Sequence, residues 1–158
     1  MIEISQNDIA VETALPKVFA CELPLRFADM DADGHVNNTE FYRYMEEARM
    51  RWVHSLGLAT TPPAPVPVLA ASACSFRAPL HYPGTVTVEI YLGRMGNSSV
   101  RTHYLLRSGG SGGTISAEGY AVSVWVDPQT QKSITLPDAV RRIPSLLKGG
   151  KSKDGTEG

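Results

Sequence analysis

Apolar residues between Phe41 and Leu56 recur at a helical spacing. Phe41, Met45, Ala48, Trp52 and Leu56 form one continuous stripe, which predicts a helix over residues 41–56. Asn37, followed three residues later by Glu40, has the form of an N-terminal cap with a reciprocal acid, and Gly57 is a fitting stop. Upstream, residues 17–27 read as a strand, with Val18, Phe19, Leu23, Leu25 and Phe27 among small or polar residues. Downstream the period falls to two. Residues 68–77 form one strand, and residues 85–93 alternate strictly, with Val86, Val88, Ile90 and Leu92 on one face. Met95-Gly96-Asn97 reads as a turn, and residues 99–107 and 114–126 are the next two strands. Pro137 opens a short helix containing Ala139, Val140 and Ile143.

Two runs punctuate this pattern. The proline-dense stretch at residues 60–67 is incompatible with a helix and reads as a stiff loop, and the glycine-rich stretch at 108–113 reads as a hairpin loop. The order is strand, helix, four strands, helix. A helix with one apolar stripe needs a sheet to cover it, and four strands joined by short turns supply an antiparallel one. The expectation is an α+β domain of two layers, with the sheet wrapped around a long central helix and the first strand joining the same sheet. Residues 1–16 are expected to be an N-terminal extension, 17–147 a single domain, and 148–158 a disordered polar tail.

Composition narrows the function classes. The chain has 158 residues, 42% hydrophobic and 20% charged, with a formal net charge of −1, so no global field argues for nucleic acid or an anionic membrane. No apolar run approaches the roughly 18 residues of a membrane span, and the N-terminus lacks the form of a signal peptide. Cys21 and Cys74 sit in apolar, strand-like surroundings and read as buried free thiols. A reducing cytoplasm is the expected location.

The chemistry concentrates in residues 29–40, where Asp29, Asp31, Asp33, Gly34 and Glu40 match the ligand positions of a calcium loop. The context is unlike an EF-hand, because the entering segment contains Pro24 and alternates like a strand, and the loop occurs once. The same residues fit a second chemistry. Asp31 would sit on the turn leading into a helix whose first N–H groups, around Asn38 and Thr39, are unpaired and carry partial positive charge. Such amides polarise a carbonyl and stabilise its oxyanion, while a nearby carboxylate activates water or attacks the carbonyl itself. Thioesters suit this arrangement, being electrophilic with a good leaving group. A third reading is a capped turn whose acids favour the helix dipole. Three acids this close repel, so at least one carboxyl is expected to have a raised pKa.

The stretch from Leu25 to Arg49, LRFADMDADGHVNNTEFYRYMEEAR, resembles the signature of the hotdog-fold thioesterases of the 4-hydroxybenzoyl-CoA thioesterase type. The similarity continues more weakly through RAPLHYPG (Arg77 to Gly84), GNSS (Gly96 to Ser99) and VDPQTQKSITLP (Val126 to Pro137), covering about 120 residues. The resemblance implies a hotdog fold and an acyl-CoA thioesterase. It implies Asp31 as the catalytic carboxylate and a backbone N–H near Asn38 facing the thioester oxygen. His35, Asn37, Asn38 and Thr39 complete the implied catalytic segment, and Gly34, Phe41 and Arg77 are the expected substrate-contacting positions. Asp33 stands where related enzymes carry a neutral residue. The implied partners are an acyl-CoA substrate and further copies of the chain, as a homodimer or homotetramer with sheets joined edge to edge. No cofactor is implied.

The residues also carry plainer readings. His35 orders the loop through hydrogen bonds to backbone, and Asn37 caps the helix. Glu46 and Glu47, alternative helix acids in other hotdog enzymes, default to solvated pairs with Arg49 and Arg51. Tyr42, Tyr44 and Trp52 are packing residues, Arg77 and His81 are candidates for a CoA phosphate, and the proline loop is a candidate wall of the acyl pocket. His54 and His103 show no metal spacing. A calcium-binding module and a non-catalytic acyl-thioester-binding hotdog protein remain as alternatives.

Overall fold

In the computed structural model, residues 9–11 and 14–149 are described. The elements are β1 (Lys17–Pro24), α1 (Asn38–Ser55), β2 (Val66–Phe76), β3 (Thr85–Met95), β4 (Ser99–Ser108), β5 (Thr114–Val126), α2 (Asp138–Arg141) and α3 (Ile143–Gly149). All strand pairings are antiparallel, in one five-stranded sheet of order β1-β3-β4-β5-β2. The α+β class, the single sheet and the place of the first strand within it follow the sequence pattern.

The boundaries shift for local reasons. β1 ends at Pro24 rather than running to residue 27, because the next N–H, that of Leu25, donates to Gly84 O at 2.9 Å, outside the sheet ladder. A 3-10 turn over Phe27–Asp29 follows. β2 begins within the proline run, at Val66, and tolerates Pro67 because it is an edge strand. Pro137 sits one position earlier than expected, at the N-cap of α2. Lys148 and Gly149, assigned to the polar tail, close helix α3, and the remainder of that tail, like most of the expected N-terminal extension, lies outside the described residues.

The helix α1 spans 18 residues, and Phe41, Met45, Ala48 and Trp52 are buried as the stripe predicts, with Tyr44, Arg49 and Val53 widening the buried face. Opposite them stand Val86, Val88, Ile90 and Leu92 of β3, Val100, Tyr104 and Leu106 of β4, and Ala117, Ala121 and Trp125 of β5. Gly119 lies on this same face. A Cβ there would meet Ala73 O and Met45 Sδ, each at 2.8 Å, so the absence of a side chain sets how closely helix and sheet approach. Arg49 does not form the expected solvated pair. It is 5% exposed, and its Nη1 donates to the buried Tyr104 hydroxyl at 3.4 Å. Among the described residues no helix is long and apolar enough to cross a membrane.

Candidate active site

The segment ahead of α1 folds into a tight hairpin. Met30 and Val36 form an antiparallel bridge, the Asp31 N–H donates to His35 O at 2.8 Å, and the Gly34 N–H returns to Asp31 O at 3.2 Å. The Asp31 side chain holds the turn from within, its Oδ1 accepting the N–H groups of Asp33 at 2.9 Å and His35 at 3.5 Å. Gly34 has φ +77°, a left-handed conformation that explains the glycine. A second loop braces the first: Val36 N–H donates to Leu80 O at 2.9 Å, and His81 Nδ1 lies 3.3 Å from Gly34 O. The imidazoles of His35 and His81 meet edge to face, 5.0 Å between centroids. His35 thus orders the loop through its own main chain, with its ring held against His81.

The three acids of the loop are sent in different directions. Asp29 is 1% exposed, and its carboxylate accepts from the Arg26 N–H at 3.1 Å, Arg26 Nε at 3.0 Å and the Tyr44 hydroxyl at 2.8 Å. Burial pushes this carboxyl up, but those hydrogen bonds and the Arg26 charge outweigh it, and the pKa is lowered. Mutual repulsion, expected to raise a carboxyl here, does not govern Asp29, because its neighbours are donors rather than Asp31 or Asp33. The calcium ligand set is likewise not assembled. Asp29 turns inward, Glu40 faces Arg26 and Arg43, and among the described residues no group of three or more His, Cys, Asp or Glu side chains is placed to hold a metal ion.

At the start of α1, Asn37 Oδ1 accepts from the Thr39 N–H at 2.9 Å and the Thr39 hydroxyl at 2.8 Å. The Asn37 cap is as expected. The reciprocal arm from Glu40 is not formed, because the Asn37 N–H donates instead to Asp29 O at 2.9 Å. The cap also uses the Thr39 amide, so of the two N–H groups expected to face a carbonyl only that of Asn38 is left without an acceptor among the described residues.

A cavity of about 500 Å³ is lined by Asn38 and its neighbours. Its polar wall carries Asp31, Asp33, His35, Asn38 and Arg77, and its apolar wall is built from Val36, Phe41, Phe76 and Pro79. Five of the sequence-derived site residues, Asp31, His35, Asn38, Phe41 and Arg77, therefore meet in one place. Gly34, Asn37 and Thr39 shape the loop and the cap but do not line the cavity. Phe76, whose ring stands edge-on to Phe41 with centroids 5.2 Å apart, was not marked by any sequence motif. Arg77 pairs with Glu118 of β5, a partner 41 residues away.

The other candidates lie elsewhere. Glu46 and Glu47 line a separate groove of about 420 Å³ with Arg43 and Arg51, and Glu47 pairs with Arg51 at 2.7 Å. The proline loop contributes Ala64 and Pro65 to a different pocket of about 300 Å³ near Trp125, and not to the cavity at Asp31. Cys21 and Cys74 are free and half-buried.

Asp31, the Asn38 helix start and an apolar wall thus surround one cleft. Residues 25–143 match the family model of the thioesterase-like superfamily, and the chain belongs to that family. By class it is a thioester hydrolase with the hotdog fold. Among similar solved structures is the PA2801 protein of Pseudomonas aeruginosa, provisionally described as a thioesterase. It is 36% identical, with TM-score 0.76, over 80% of this chain and 97% of that one. A protein of Xanthomonas campestris, provisionally described as an acyl-CoA thioesterase, is 32% identical with TM-score 0.65, over 72% of this chain and 96% of that one. The BH1999 gentisyl-coenzyme A thioesterase, 22% identical with TM-score 0.70 over 78% and 99% of the two chains, shares the fold.

Proposed function

We propose that the protein hydrolyses an acyl-CoA thioester to the free acid and CoA, with Asp31 as the catalytic carboxylate. The observation that carries this reading is the shared cavity. Asp31 has one carboxylate oxygen tied into the turn, and Asn38, whose N–H has no acceptor among the described residues, lines the same space. A thioester carbonyl seated there accepts a hydrogen bond from the Asn38 amide, whose position at the helix N-terminus favours developing negative charge. Asp31 takes a proton from water, the water oxygen adds to the carbonyl carbon, and the tetrahedral oxyanion collapses with expulsion of the thiolate. The proton held by Asp31 passes to solvent or to the departing sulfur. Direct attack by Asp31, giving an anhydride that water then opens, uses the same geometry.

The acyl group lies against Val36, Phe41 and Phe76 beside the long central helix. His35 keeps the turn in shape, and Asn37 and Thr39 fix the helix start. A homodimer or homotetramer with sheets joined edge to edge is supported by β2, an outer strand whose Val68 and Leu69 are 46% and 48% exposed. Free thiols at Cys21 and Cys74 agree with a reducing cytoplasm.

Thiol release from a panel of short, long and aromatic acyl-CoAs tests the proposal. Turnover of at least one class, lost in Asp31→Asn, is the expected result. Silence across the panel, with acyl-CoA still bound, would make the protein a carrier or sensor of thioesters instead.

A further inference from the structure

Arg77 stands where β2 parts from β5. Its N–H and that of Ala78 both donate to Ser116 O, at 2.8 and 3.1 Å, so the chain turns away from the sheet at this residue. Ser75, two residues earlier, lies opposite Glu118 in the register of the two strands. Arg77 and Glu118 are therefore diagonal neighbours on one face, and Arg77 Nη2 donates to Glu118 Oε2. Glu118 is 9% exposed, whereas the Arg77 side chain is 54% exposed and lines the cavity that holds Asp31 and Asn38. The carboxylate occupies one nitrogen of the guanidinium, and Nε and Nη1 have no acceptor among the described residues.

The charges select what those donors take. The cavity wall carries Asp31 and Asp33, and Arg77, the only lysine or arginine lining it among the described residues, is already compensated by Glu118. A phosphate or carboxylate in this space meets two like charges and a cation that is already paired. A neutral oxygen can accept from the free N–H donors without that repulsion.

We infer that Glu118 is a positioning residue that holds Arg77 to donate a hydrogen bond to a neutral carbonyl or hydroxyl oxygen of the bound thioester, close to the reacting carbonyl. That oxygen belongs either to the acyl group or to the first amide of the carrier arm. The inference rests on the thioesterase reading for the identity of the ligand, not for the pairing of Glu118 with Arg77.

Binding of a non-hydrolysable acyl-CoA thioether, measured by calorimetry, tests this separately from turnover. E118A and R77A each weaken binding roughly five- to tenfold, the size of one hydrogen bond to a neutral acceptor, and the double variant is no weaker than R77A alone. E118D restores part of the loss. In turnover the same variants raise KM by that factor and change kcat by less. Thioethers of pantetheine retain the full effect. Loss of the effect on removing the arm's first amide assigns the oxygen to the carrier, and loss on removing an acyl oxygen assigns it to the acyl group. Additive effects of E118A and R77A, an effect that disappears with the CoA phosphates, or failure of every analogue to bind the wild type overturns the inference. Thiol release absent while binding follows the expected pattern overturns the hydrolase reading alone. Melting temperatures identify any variant that fails to fold, and E118D then carries the comparison.

Discussion

The Tyr44 hydroxyl donates to Asp29 Oδ2 across 2.8 Å, joining the second turn of α1 to the loop that precedes it. The bond is buried, and it crosses the point where the chain turns from sheet to helix. Tyr44→Phe leaves a buried carboxylate short of one donor and is expected to destabilise the fold by about 1–3 kcal/mol, read from urea denaturation. Activity falls with it, because the Asp29 carbonyl also fixes the Asn37 N–H beside the site.

The same carboxylate sets an acid limit. The folded-state pKa of Asp29 lies below its ordinary 3.8, with burial opposed by donors from Arg26 and Tyr44. The stabilisation is fully present above that ordinary value and is lost as pH falls through the folded value. Stability measured from pH 6 to pH 2 is expected to fall on acidification in the wild type. Asp29→Asn begins lower at neutral pH and has a shallower slope below about pH 4. Equal slopes would remove Asp29 from the acid transition.

Asp31→Asn keeps an oxygen able to accept the Asp33 and His35 amides, so the turn is expected to survive. Hydrolysis should drop by about 10²-fold or more, the range of a lost general base, with the circular dichroism spectrum unchanged. Near-normal turnover would take Asp31 out of the mechanism.

The helix stripe and the alternation of β3 were legible because each repeats a local period, and the buried residues on both are the ones those periods select. The candidate site was legible in part. Asp31, His35 and Asn38 lie within one hairpin and one helix start, so their neighbourhood is encoded over a few residues. Arg49 could not be read. An arginine at that position fits a solvated helix face, and only the presence of Tyr104 across the layer turns it inward. The missing Glu40 arm has a similar cause, because the Asn37 amide was taken by a carbonyl that becomes close only once the 3-10 turn forms. Phe76 reaches the cavity, and Glu118 reaches Arg77, through strand pairing, which no local motif reports.

Gly119→Ala tests the helix–sheet spacing. The added methyl meets a backbone oxygen and Met45 Sδ at 2.8 Å, and an expected loss of about 1–3 kcal/mol follows from forcing the layers apart. Met45→Ala in the same background relieves only the contact to sulfur, so a partial recovery separates the two clashes.

Burial pushes the Cys74 thiol up to about 12 and raises that of Cys21. At pH 8 the thiolate fraction of Cys74 is then on the order of 10⁻⁴, and a disulfide exchange reagent should label it far more slowly in the native protein than in urea. Rapid native labelling of Cys74 would contradict the packing around it.

The hairpin that carries Asp31, and the chain entering it, are tied to the 78–84 loop largely through main-chain atoms: Val36 N–H to Leu80 O, the Gly34 carbonyl facing His81 and, ahead of the hairpin, Leu25 N–H to Gly84 O. A brace made of backbone asks little of the side chains that pass through it. Phe76 and Pro79, which lie outside the buried core, can thus be exchanged, by selection or by design, to reshape the cavity wall while the brace stays in place, whereas Phe41 is held by the core.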